Sequence, residues 1–457
     1  MKISILLPYK ENFSPTYAGA VSLFINDTVK ISNYKKNINI YGNTKYKNIF
    51  NLNYINIPLE KKIFQSQSKK YVDEFIKLEK KRKSDLIEIH NRPNYVRMIK
   101  KNTESKIVLY FHNDPLSMIG SKTVDERLKL LFICSKVIFN SEWSKSRFIS
   151  DLNKVIHNSE KLEVIQQSAN IKKRINLKHK EKIITFVGKL NSAKGYDIFG
   201  KAVIKILNKY KDWKAYVIGD EHREKIIFRH KNLNLLGFLE HKKVLKIFDK
   251  TNIAVACSRW EEPFGRTGLE ASSRGCAVII SNRGGLPETI TNGVILRSLS
   301  TKNLFVAIDN LIKNRKFMKE LQKLSVKNFY LTHKYISNKI DNYRKKISLS
   351  KDFNLKHDLQ KRLKILHITN FNERHNGRLF YNTGRRINNG FIRLNHSVLE
   401  FSDRDIVSYY RSINDIKGSK KLNKKLIEVV SNYLPDLIVL GHADLINNET
   451  LIYIKQI

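Results

Sequence analysis

One stretch of the sequence, residues 253–293, restricts the possible folds more than any other. Two apolar runs in it, Ile253–Cys257 and Cys276–Ser281, have the length and composition of buried parallel strands. Between them lie a loop containing Gly265 and a short predicted helix, from about Thr267 to Arg274. This order of elements predicts an α/β protein with a parallel sheet. Ligands of such sheets bind beyond the carboxyl ends of the strands, where this loop is expected.

The loop and the start of the helix combine backbone donors with two carboxylates. The N–H groups of Gly265, Arg266 and Thr267 are expected to face the crevice at a helix amino terminus, which favours a phosphate. Glu262 lies in the loop and Glu270 on the helix, with seven residues between them. Two carboxylates beside one anion site suit a nucleotide-linked sugar.

Each glutamate also has an ordinary structural interpretation. Thr267 and Glu270 match a helix capping box, in which Glu270 would only satisfy a helix terminus. Glu262 would then be a solvated loop acid. Because short motifs often match by chance, the spacing alone leaves these alternatives open.

The whole stretch resembles the donor-binding motif of family-four retaining glycosyltransferases (glycosyl transferases group 1), which have the GT-B fold. The resemblance rests on EPFGRTGLEASSRG, a following strand and SNRGGLPE. In that family the two glutamates of an E-x7-E motif contact the donor sugar and the ribose. The resemblance therefore implies these roles for Glu262 and Glu270.

A second motif opens the same predicted domain. A strand, Ile183–Val187, ends at Gly188, and Lys189 and Lys194 flank the turn to the next helix. Two cations at such a turn favour a diphosphate, although any single lysine in a lysine-rich chain is more often solvated. The pattern G-K-L-x-x-x-K-G resembles the family's second motif, in which an arginine usually stands in place of Lys189. Lysine keeps the charge of arginine but not its bidentate geometry.

The first 170 residues alternate strands with helices, which predicts another doubly wound parallel sheet. Gly19 precedes a helix from about Ala20 and would let the backbone approach a ligand; a plain turn is the alternative. Two strands end in His-Asn, at His90 and His112, on the expected ligand side of the sheet. The resemblance implies that His112 lies near the donor sugar and the acceptor, whereas a lone histidine is more often structural.

The predicted fold class is α/β of GT-B type, with two Rossmann-like domains facing a cleft and a third, partial Rossmann-like segment. Residues 1–170 are assigned to the acceptor-side domain and residues 171–346 to the nucleotide-sugar donor domain, which a long helix from about Phe317 to Lys346 would end. Residues 347–361 are interpreted as a linker. Residues 362–457 resemble the amino-terminal part of a second glycosyltransferase, either from a longer tandem protein or as a degenerate appendage, and no catalysis is assigned to them.

The chain has a strong positive charge. Its 457 residues are 41% hydrophobic and 28% charged, with a formal net charge of +43, which suggests nucleic acid or an anionic membrane as partner. Lysine is spread along the whole chain, so the codon bias of an AT-rich genome explains the charge equally well. No RNA-binding motif or zinc-finger spacing accompanies it. A membrane-surface enzyme is therefore favoured over a specific nucleic-acid binder.

Cysteine usage and hydropathy suggest a cytoplasmic protein. Cys134, Cys257 and Cys276 each lie in an apolar run without metal-ligand spacing, as reduced core residues do. Met1–Pro8 is too short for a signal peptide, and no stretch reaches the roughly 18 apolar residues of a membrane span. Any contact with the inner face of the plasma membrane would then be peripheral.

The family resemblance implies a UDP- or GDP-sugar as donor, and together with the charge and the expected location it predicts transfer of the sugar to a glycan or lipid-linked acceptor, in bacterial envelope polysaccharide or lipopolysaccharide synthesis. Lys194, with Lys189 and the amides of residues 265–267, would stabilise the leaving diphosphate. Glu262 would orient the sugar or stabilise an oxocarbenium-like transition state, and Glu270 would hold the ribose. The family implies retention of configuration without a metal, so no cofactor is expected.

Two other classes of function stay open. One is a GT-B relative with different chemistry, such as a nucleotide-sugar epimerase or a phosphorylase that uses pyridoxal phosphate. The other is a non-catalytic basic scaffold that binds RNA or anionic lipid, which would not depend on Glu262 or Glu270. The sequence does not identify the nucleobase, the sugar or the acceptor.

Overall fold

The computed structural model describes residues 1–59, 66–171, 175–349, 362–376, 378, 380–441 and 444–456. The chain divides into two compact units, and each is described by itself. The first unit consists of Met1–Ser150 and Lys161–Leu349, and the second of Asp151–Glu160 and Ser350–Ile457. The predicted site residues all belong to the first unit.

The amino-terminal half of the first unit, up to Asn170, is built on a parallel sheet with seven strands among the described residues. The strands are β1 (Ile3–Leu6), β2 (Ile38–Gly42), β3 (Tyr54–Asn56), β4 (Leu86–His90), β5 (Lys106–Phe111), β6 (Lys136–Phe139) and β7 (Leu162–Val164), in the order β3-β2-β1-β4-β5-β6-β7. The helices are α1 (Ala20–Val29), α2 (Gln67–Arg82), α3 (Pro93–Asn102), α4 (Val124–Ile133) and α5 (Glu142–Ile149). The central strands β1 and β4 are buried along their whole length, as expected for a sheet covered on both faces.

The carboxyl-terminal half of the first unit, from Ile171, repeats this architecture with a second parallel sheet of six described strands. These are β8 (Glu181–Val187), β9 (Lys214–Ile218), β10 (Leu233–Leu235), β11 (Thr251–Ala256), β12 (Ala277–Ser281) and β13 (Val294–Leu296), in the order β10-β9-β8-β11-β12-β13. Its helices are α6 (Tyr196–Lys209), α7 (His241–Lys250), α8 (Arg266–Ser273), α9 (Thr301–Lys313) and α10 (Arg315–Lys327). The two strands predicted around the E-x7-E motif are confirmed as β11 and β12.

The prediction of one long helix from about Phe317 to Lys346 is wrong. Helix α10 ends at Lys327, and a separate helix α11 runs over His333–Leu349. Between them the chain crosses back to the amino-terminal half, where the N–H of Ala169 donates to the carbonyl of Leu331 (3.0 Å). Residues 347–349 therefore belong to α11 rather than to a linker, and the rest of the predicted linker lies outside the described residues.

The second unit contains a smaller parallel sheet, with three strands in its described part: β14 (Lys364–Thr369), β15 (Ser397–Ser402) and β16 (Leu437–Leu440), in the order β15-β14-β16. Its helices are α12 (Thr383–Arg393), α13 (Asp403–Tyr410), α14 (Ser419–Tyr433) and α15 (Asn448–Ile454). This strand order matches β2-β1-β4 of the first unit. The prediction of a further, partial Rossmann-like segment is therefore confirmed.

The three cysteines are buried free thiols. Burial raises the pKa of Cys134 and of Cys257 to about 12, so both thiols are protonated and unreactive at neutral pH. In the part of the chain that the structure describes, no three His, Cys, Asp or Glu side chains are grouped to hold a metal ion. None of the described helices is both long and apolar enough to cross a bilayer.

A buried ion pair connects helix α11 to the amino-terminal sheet. The Arg344 guanidinium donates to both carboxylate oxygens of Glu88 on the central strand β4, at 2.8 Å and 2.7 Å. The two side chains are only 2% and 0% exposed. Tyr343 also donates to Glu88, and Asp341 accepts from Arg344 at 3.1 Å. A buried carboxylate needs such a full set of donors, because burial without them is costly.

Replacing Arg344 should therefore destabilise the first unit strongly. We expect Arg344→Met to lower the free energy of unfolding by about 3–5 kcal/mol, since it leaves a buried charge on Glu88 without its ion partner. Urea titration followed by circular dichroism measures this loss. The exposed neighbour Lys345 on the same helix is the control, and Lys345→Met should change the free energy of unfolding by less than about 0.5 kcal/mol. Equal effects of the two substitutions would contradict the role of the ion pair.

Candidate active site

The predicted loop opens into a cavity of about 240 Å³ between the two halves of the first unit. On the carboxyl-terminal side the cavity is lined by the end of β8 at Gly188, by Lys194 and by residues 262–267. The residues that line it from the amino-terminal half are Ala20, His112, Asn113, Asn140 and Gln167. Because both sheets present the carboxyl ends of their strands here, polar residues that are distant in sequence converge on one space.

The cavity contains an ion pair between Lys194 and Glu262. The Lys194 ammonium hydrogen-bonds to Oε1 of Glu262, and it lies 5.2 Å from the centre of the Trp260 ring. Glu262 is only 7% exposed, so its carboxylate depends on this partner. Gly195 explains how the turn comes so close to β11: its φ is +73°, and a Cβ there would lie 1.8 Å from the carbonyl oxygen of Cys257. The sequence predicted both charged residues, and the structure brings them together.

The amino terminus of α8 lines the same cavity. Its N-cap is Gly265, with φ +100°, so no side chain caps the first turn. Gly265, Arg266 and Thr267 all contribute to the lining, as predicted from the sequence. Thr267 donates its hydroxyl to the carbonyl of Val187 at the end of β8 (3.3 Å), which holds the helix terminus against the strand. An uncapped helix amino terminus of this kind favours an anion.

Glu270 faces a neighbouring cavity of about 490 Å³ instead. Its Oε1 accepts from Nε of Arg266 and from Nε2 of His241, both at 2.9 Å. Burial raises the pKa of the Glu270 carboxyl, but Arg266 and His241 outweigh it and lower that pKa to about 2. The capping-box alternative is wrong, because the N-cap of α8 is Gly265 rather than Thr267. Glu270 is therefore an ionised carboxylate directed at a cavity.

The side chain of Arg266, which the sequence did not implicate, connects the two halves. Besides Glu270, its guanidinium donates to Oε1 of Gln167 (3.0 Å) and to Oδ2 of Asp27 on α1 (3.3 Å). Arg266 lines both cavities. The Arg266 side chain thus separates the cavity lined by Glu262 from the cavity lined by Glu270.

These contacts also set the proton positions on His112. Because Oε1 of Gln167 accepts from Arg266, its Nε2 must donate to Nδ1 of His112, 3.0 Å away. The proton of His112 is then on Nε2, which donates to Nδ1 of His90 at 2.9 Å. His112 lines the cavity as predicted, but both of its ring nitrogens already have partners. A catalytic role of His112 stays a prediction. It would require the substrate to replace one of these two hydrogen-bond partners.

The two histidines are neutral. Burial lowers the pKa of His90 to about 3, and the charge of Arg344 adds to this effect. Burial also lowers the pKa of His112 well below its usual value, with contributions from His90 and Arg266. The pair therefore makes neutral hydrogen bonds across the pH range in which the protein is expected to be folded.

Two other predicted donor-binding residues do not line either cavity. Gly19 is the N-cap of α1, next to the lining residue Ala20. A Cβ at Gly19 would lie 2.3 Å from Oε1 of Glu11, which accepts the N–H of Ser22. The glycine thus makes room for that carboxylate. Lys189 is exposed, and its role in donor binding stays a prediction.

Asn140 and Gln167 were missed by the sequence analysis, although a signal for both exists. Asn140 directly follows β6, and Gln167 follows β7 by three residues. Both are polar residues just beyond an apolar strand, the same pattern that singled out His90 and His112. Asn140 donates to the carbonyl of His112 (3.0 Å), so it supports the backbone at that strand end.

The neutral histidines predict a specific loss of stability in mild acid. The unfolded chain binds a proton at His90 below pH 6.5 and the native protein does not until about pH 3. Stability is therefore lost as the pH falls below 6.5, by about 2 kcal/mol at pH 5 for this residue. His90→Asn should reduce the difference in unfolding free energy between pH 7 and pH 5 by about that amount, as measured by urea titration. His222, with its side chain 92% exposed, provides the control, since His222→Asn should leave the difference unchanged. A wild-type pH dependence in His90→Asn would refute the assignment.

Comparison with known proteins finds a family match over part of the chain. A family model described as Glycosyl transferases group 1 matches residues 167–327, the range that contains Lys194, Glu262 and Glu270. Spore coat protein SA of Bacillus subtilis is 26% identical over 280 residues, which cover 54% of this chain and 74% of that protein. The lipopolysaccharide core biosynthesis mannosyltransferase LpsB of Rhizobium meliloti is 28% identical over 150 residues, covering 31% of this chain and 41% of that protein.

Solved structures share the architecture. The crystal structure of Anabaena Alr3699/HepE in complex with UDP and glucose matches with a TM-score of 0.59 at 16% identity, and the match covers 76% of this chain and 99% of that chain. At this identity the likeness concerns the fold alone. Residues 167–327 thus match a glycosyl transferases group 1 domain, and the chain shares the GT-B fold of these solved structures.

Proposed function

We propose that the protein transfers a sugar from a nucleoside-diphosphate sugar to a glycan or lipid-linked acceptor, with retention of configuration and without a metal. The observation that supports this most directly is the Lys194–Glu262 pair in the cavity between the two halves. Lys194 lies just before α6 and Glu262 just before α8, and a cation and a carboxylate in one cavity match a diphosphate joined to a sugar. The opposite wall of the cavity includes His112 and Asn140, and the acceptor would lie between this wall and the sugar.

The departing diphosphate would be stabilised electrostatically. The Lys194 ammonium and the amides of the first turn of α8 lie on one wall of the cavity, and preorganised donors of this kind stabilise developing negative charge. When the diphosphate takes over the ammonium of Lys194, the carboxylate of Glu262 becomes available to the donor sugar. These groups supply the positive potential that a metal provides in other transferases, which is our reason for proposing metal independence.

The ribose would lie against Glu270 in the adjoining cavity. Both protein donors contact Oε1 of this carboxylate, so Oε2 is the oxygen that would accept the ribose hydroxyls. The low pKa of Glu270, about 2, keeps it ionised at physiological pH. Hydrogen bonds to charged groups contribute about 1.5–3 kcal/mol each, which is enough to govern nucleotide affinity.

The family resemblance and the relatives support the finer choices. Retention is what the E-x7-E resemblance implies, and the Anabaena neighbour solved with UDP and glucose supports a uridine nucleotide. The mannosyltransferase LpsB acts in lipopolysaccharide core biosynthesis, which supports an acceptor in the bacterial envelope. A cytoplasmic enzyme at the inner face of the membrane would meet such an acceptor, and the net charge of +43 favours an anionic surface.

Removing either member of the ion pair tests the transfer reaction. We expect Glu262→Gln and Lys194→Met each to lower kcat about 100-fold or more, since each removes a charge that acts in the transition state. Turnover is measured as release of nucleoside diphosphate from a panel of UDP- and GDP-sugars. Lys201 is exposed on α6 in the same half, so Lys201→Met is the control and should retain wild-type turnover. Unchanged sugar transfer in both Glu262→Gln and Lys194→Met would refute the proposal, and conversion of the donor sugar without transfer would indicate an epimerase.

The ribose contact has its own test. The wild-type protein should bind UDP about tenfold more tightly than 2′-deoxy-UDP, because the missing 2′-hydroxyl removes one of the ribose donors to the Glu270 carboxylate. Glu270→Gln should bind UDP more weakly and discriminate less between the two nucleotides. Isothermal titration calorimetry measures both affinities. Retained discrimination in Glu270→Gln would place the ribose elsewhere.

A further inference from the structure

A carboxylate of the carboxyl-terminal half caps a helix of the amino-terminal half. Glu288 lies in a short 3₁₀ turn, Leu286–Thr289, that follows β12. Its Oε2 accepts the backbone N–H of Glu142 (2.8 Å), and its Oε1 accepts that of Trp143 (3.0 Å). Glu142 and Trp143 are the first two residues of α5, a helix of eight residues.

The contact completes the helix terminus. Ser141, the N-cap of α5, takes the N–H of Ser144 at 2.9 Å. The first turn of a helix leaves its amides without partners within the helix, and Glu288 satisfies the two that Ser141 does not reach. A carboxylate at this position also interacts favourably with the helix dipole. The capping of α5 is therefore shared between the two halves of the first unit.

The shared cap lies next to the candidate active site. The hydroxyl of Ser141 donates to the carbonyl of Pro263 (2.6 Å), the residue after Glu262. On the other side of Ser141, Asn140 lines the cavity and holds the carbonyl of His112. The segment that Glu288 caps thus joins the His112 side of the cavity to the Glu262 side.

The halves are in close contact at this point. A Cβ on Gly285 would lie 2.4 Å from the carbonyl oxygen of Pro263 and 2.9 Å from Cβ of Ser141. Burial raises the pKa of Glu288, while its bonds to the two amides oppose that effect. A partly desolvated carboxylate loses hydrogen bonds to water, and here the two backbone N–H groups replace them. The contact therefore forms only when the two halves meet in this arrangement.

We propose that Glu288 is a positioning residue, which holds the two halves in the arrangement where His112 and Asn140 face Lys194 and Glu262. The inference rests on the proposed transfer reaction and adds to it a residue that governs turnover rather than nucleotide affinity. The nucleotide would bind groups of the carboxyl-terminal half, such as Lys194, whose positions do not require Glu288. Turnover requires both walls of the cavity, and small misplacements of reacting groups are costly.

Glu288→Gln tests this role, because an amide has one acceptor oxygen and cannot accept from both N–H groups with the strength of a carboxylate. We expect kcat to fall about tenfold or more, while the Kd for UDP stays within about twofold of the wild-type value. X-ray scattering of the full chain in the presence of UDP should show a larger radius of gyration for the variant. If Glu288→Gln does not fold, Glu288→Asp is the alternative, because it keeps the charge but is too short to reach both amides. It should likewise lower kcat while leaving the Kd for UDP unchanged.

Glu126 offers a matched control. Its Oε2 accepts the backbone N–H groups of Lys122 (2.8 Å) and Thr123 (3.1 Å) at the start of α4, entirely within the amino-terminal half. Glu126→Gln therefore removes a helix-capping carboxylate without affecting the contact between halves, and its kcat should remain at the wild-type value. Similar losses of kcat in Glu126→Gln and Glu288→Gln would reduce Glu288 to an ordinary helix cap and overturn the proposal.

The remaining outcomes distinguish a failure of the positioning role from a failure of the proposed transfer reaction. Wild-type kcat in Glu288→Gln overturns the positioning role and leaves the transferase proposal intact. A loss of UDP affinity equal to the loss of kcat also overturns it, because Glu288 would then act within the nucleotide site. Absence of UDP or GDP binding and of transfer in the wild-type protein would refute the proposed function itself.

Discussion

The buried ion pair between Arg344 and Glu88 connects the last helix of the first unit to the central strand of the amino-terminal sheet. Arg344 follows the carboxyl-terminal half in sequence, yet its helix α11 packs against the amino-terminal sheet. The chain must therefore pass between the halves twice, after β7 and again before α11. Both halves direct the carboxyl ends of their strands at one cavity, which brings together residues as distant in sequence as His112 and Glu262.

In that cavity and the neighbouring one, the two glutamates of the E-x7-E motif are paired with cations of the protein itself. Lys194 holds Glu262, and Arg266 holds Glu270 together with partners from the amino-terminal half. Such pairing compensates the burial of charge, and it also orients each group toward the space it lines. In the proposed reaction the diphosphate would take over the ammonium of Lys194, whereas the ribose would use Oε2 of Glu270 and leave the contacts of Oε1 in place.

The cavity-lining residues that the sequence suggested lie beyond strand ends, and the family resemblance pointed to the same positions. Glu262, Lys194 and His112 each follow closely after an apolar strand, and parallel topology brings such positions to one edge. The role of the Arg266 side chain was not predictable, because its partners Gln167 and Asp27 come from the other half of the unit. The break between α10 and α11 was missed for a similar reason. Residues 328–332 contain no glycine or proline, and the helix ends there because the backbone pairs with Ala169 instead.

The backbone bond from Ala169 to Leu331 has a mechanical consequence. The two segments that connect the halves run side by side and are joined to each other at this point. A hinge motion of the halves would keep this junction intact, whereas sliding apart would stretch both connections at once. A swing changes distances least at the junction and most at its far side. Opening of the cleft would then widen the entrance while each sheet and its hydrogen bonds move as a rigid body.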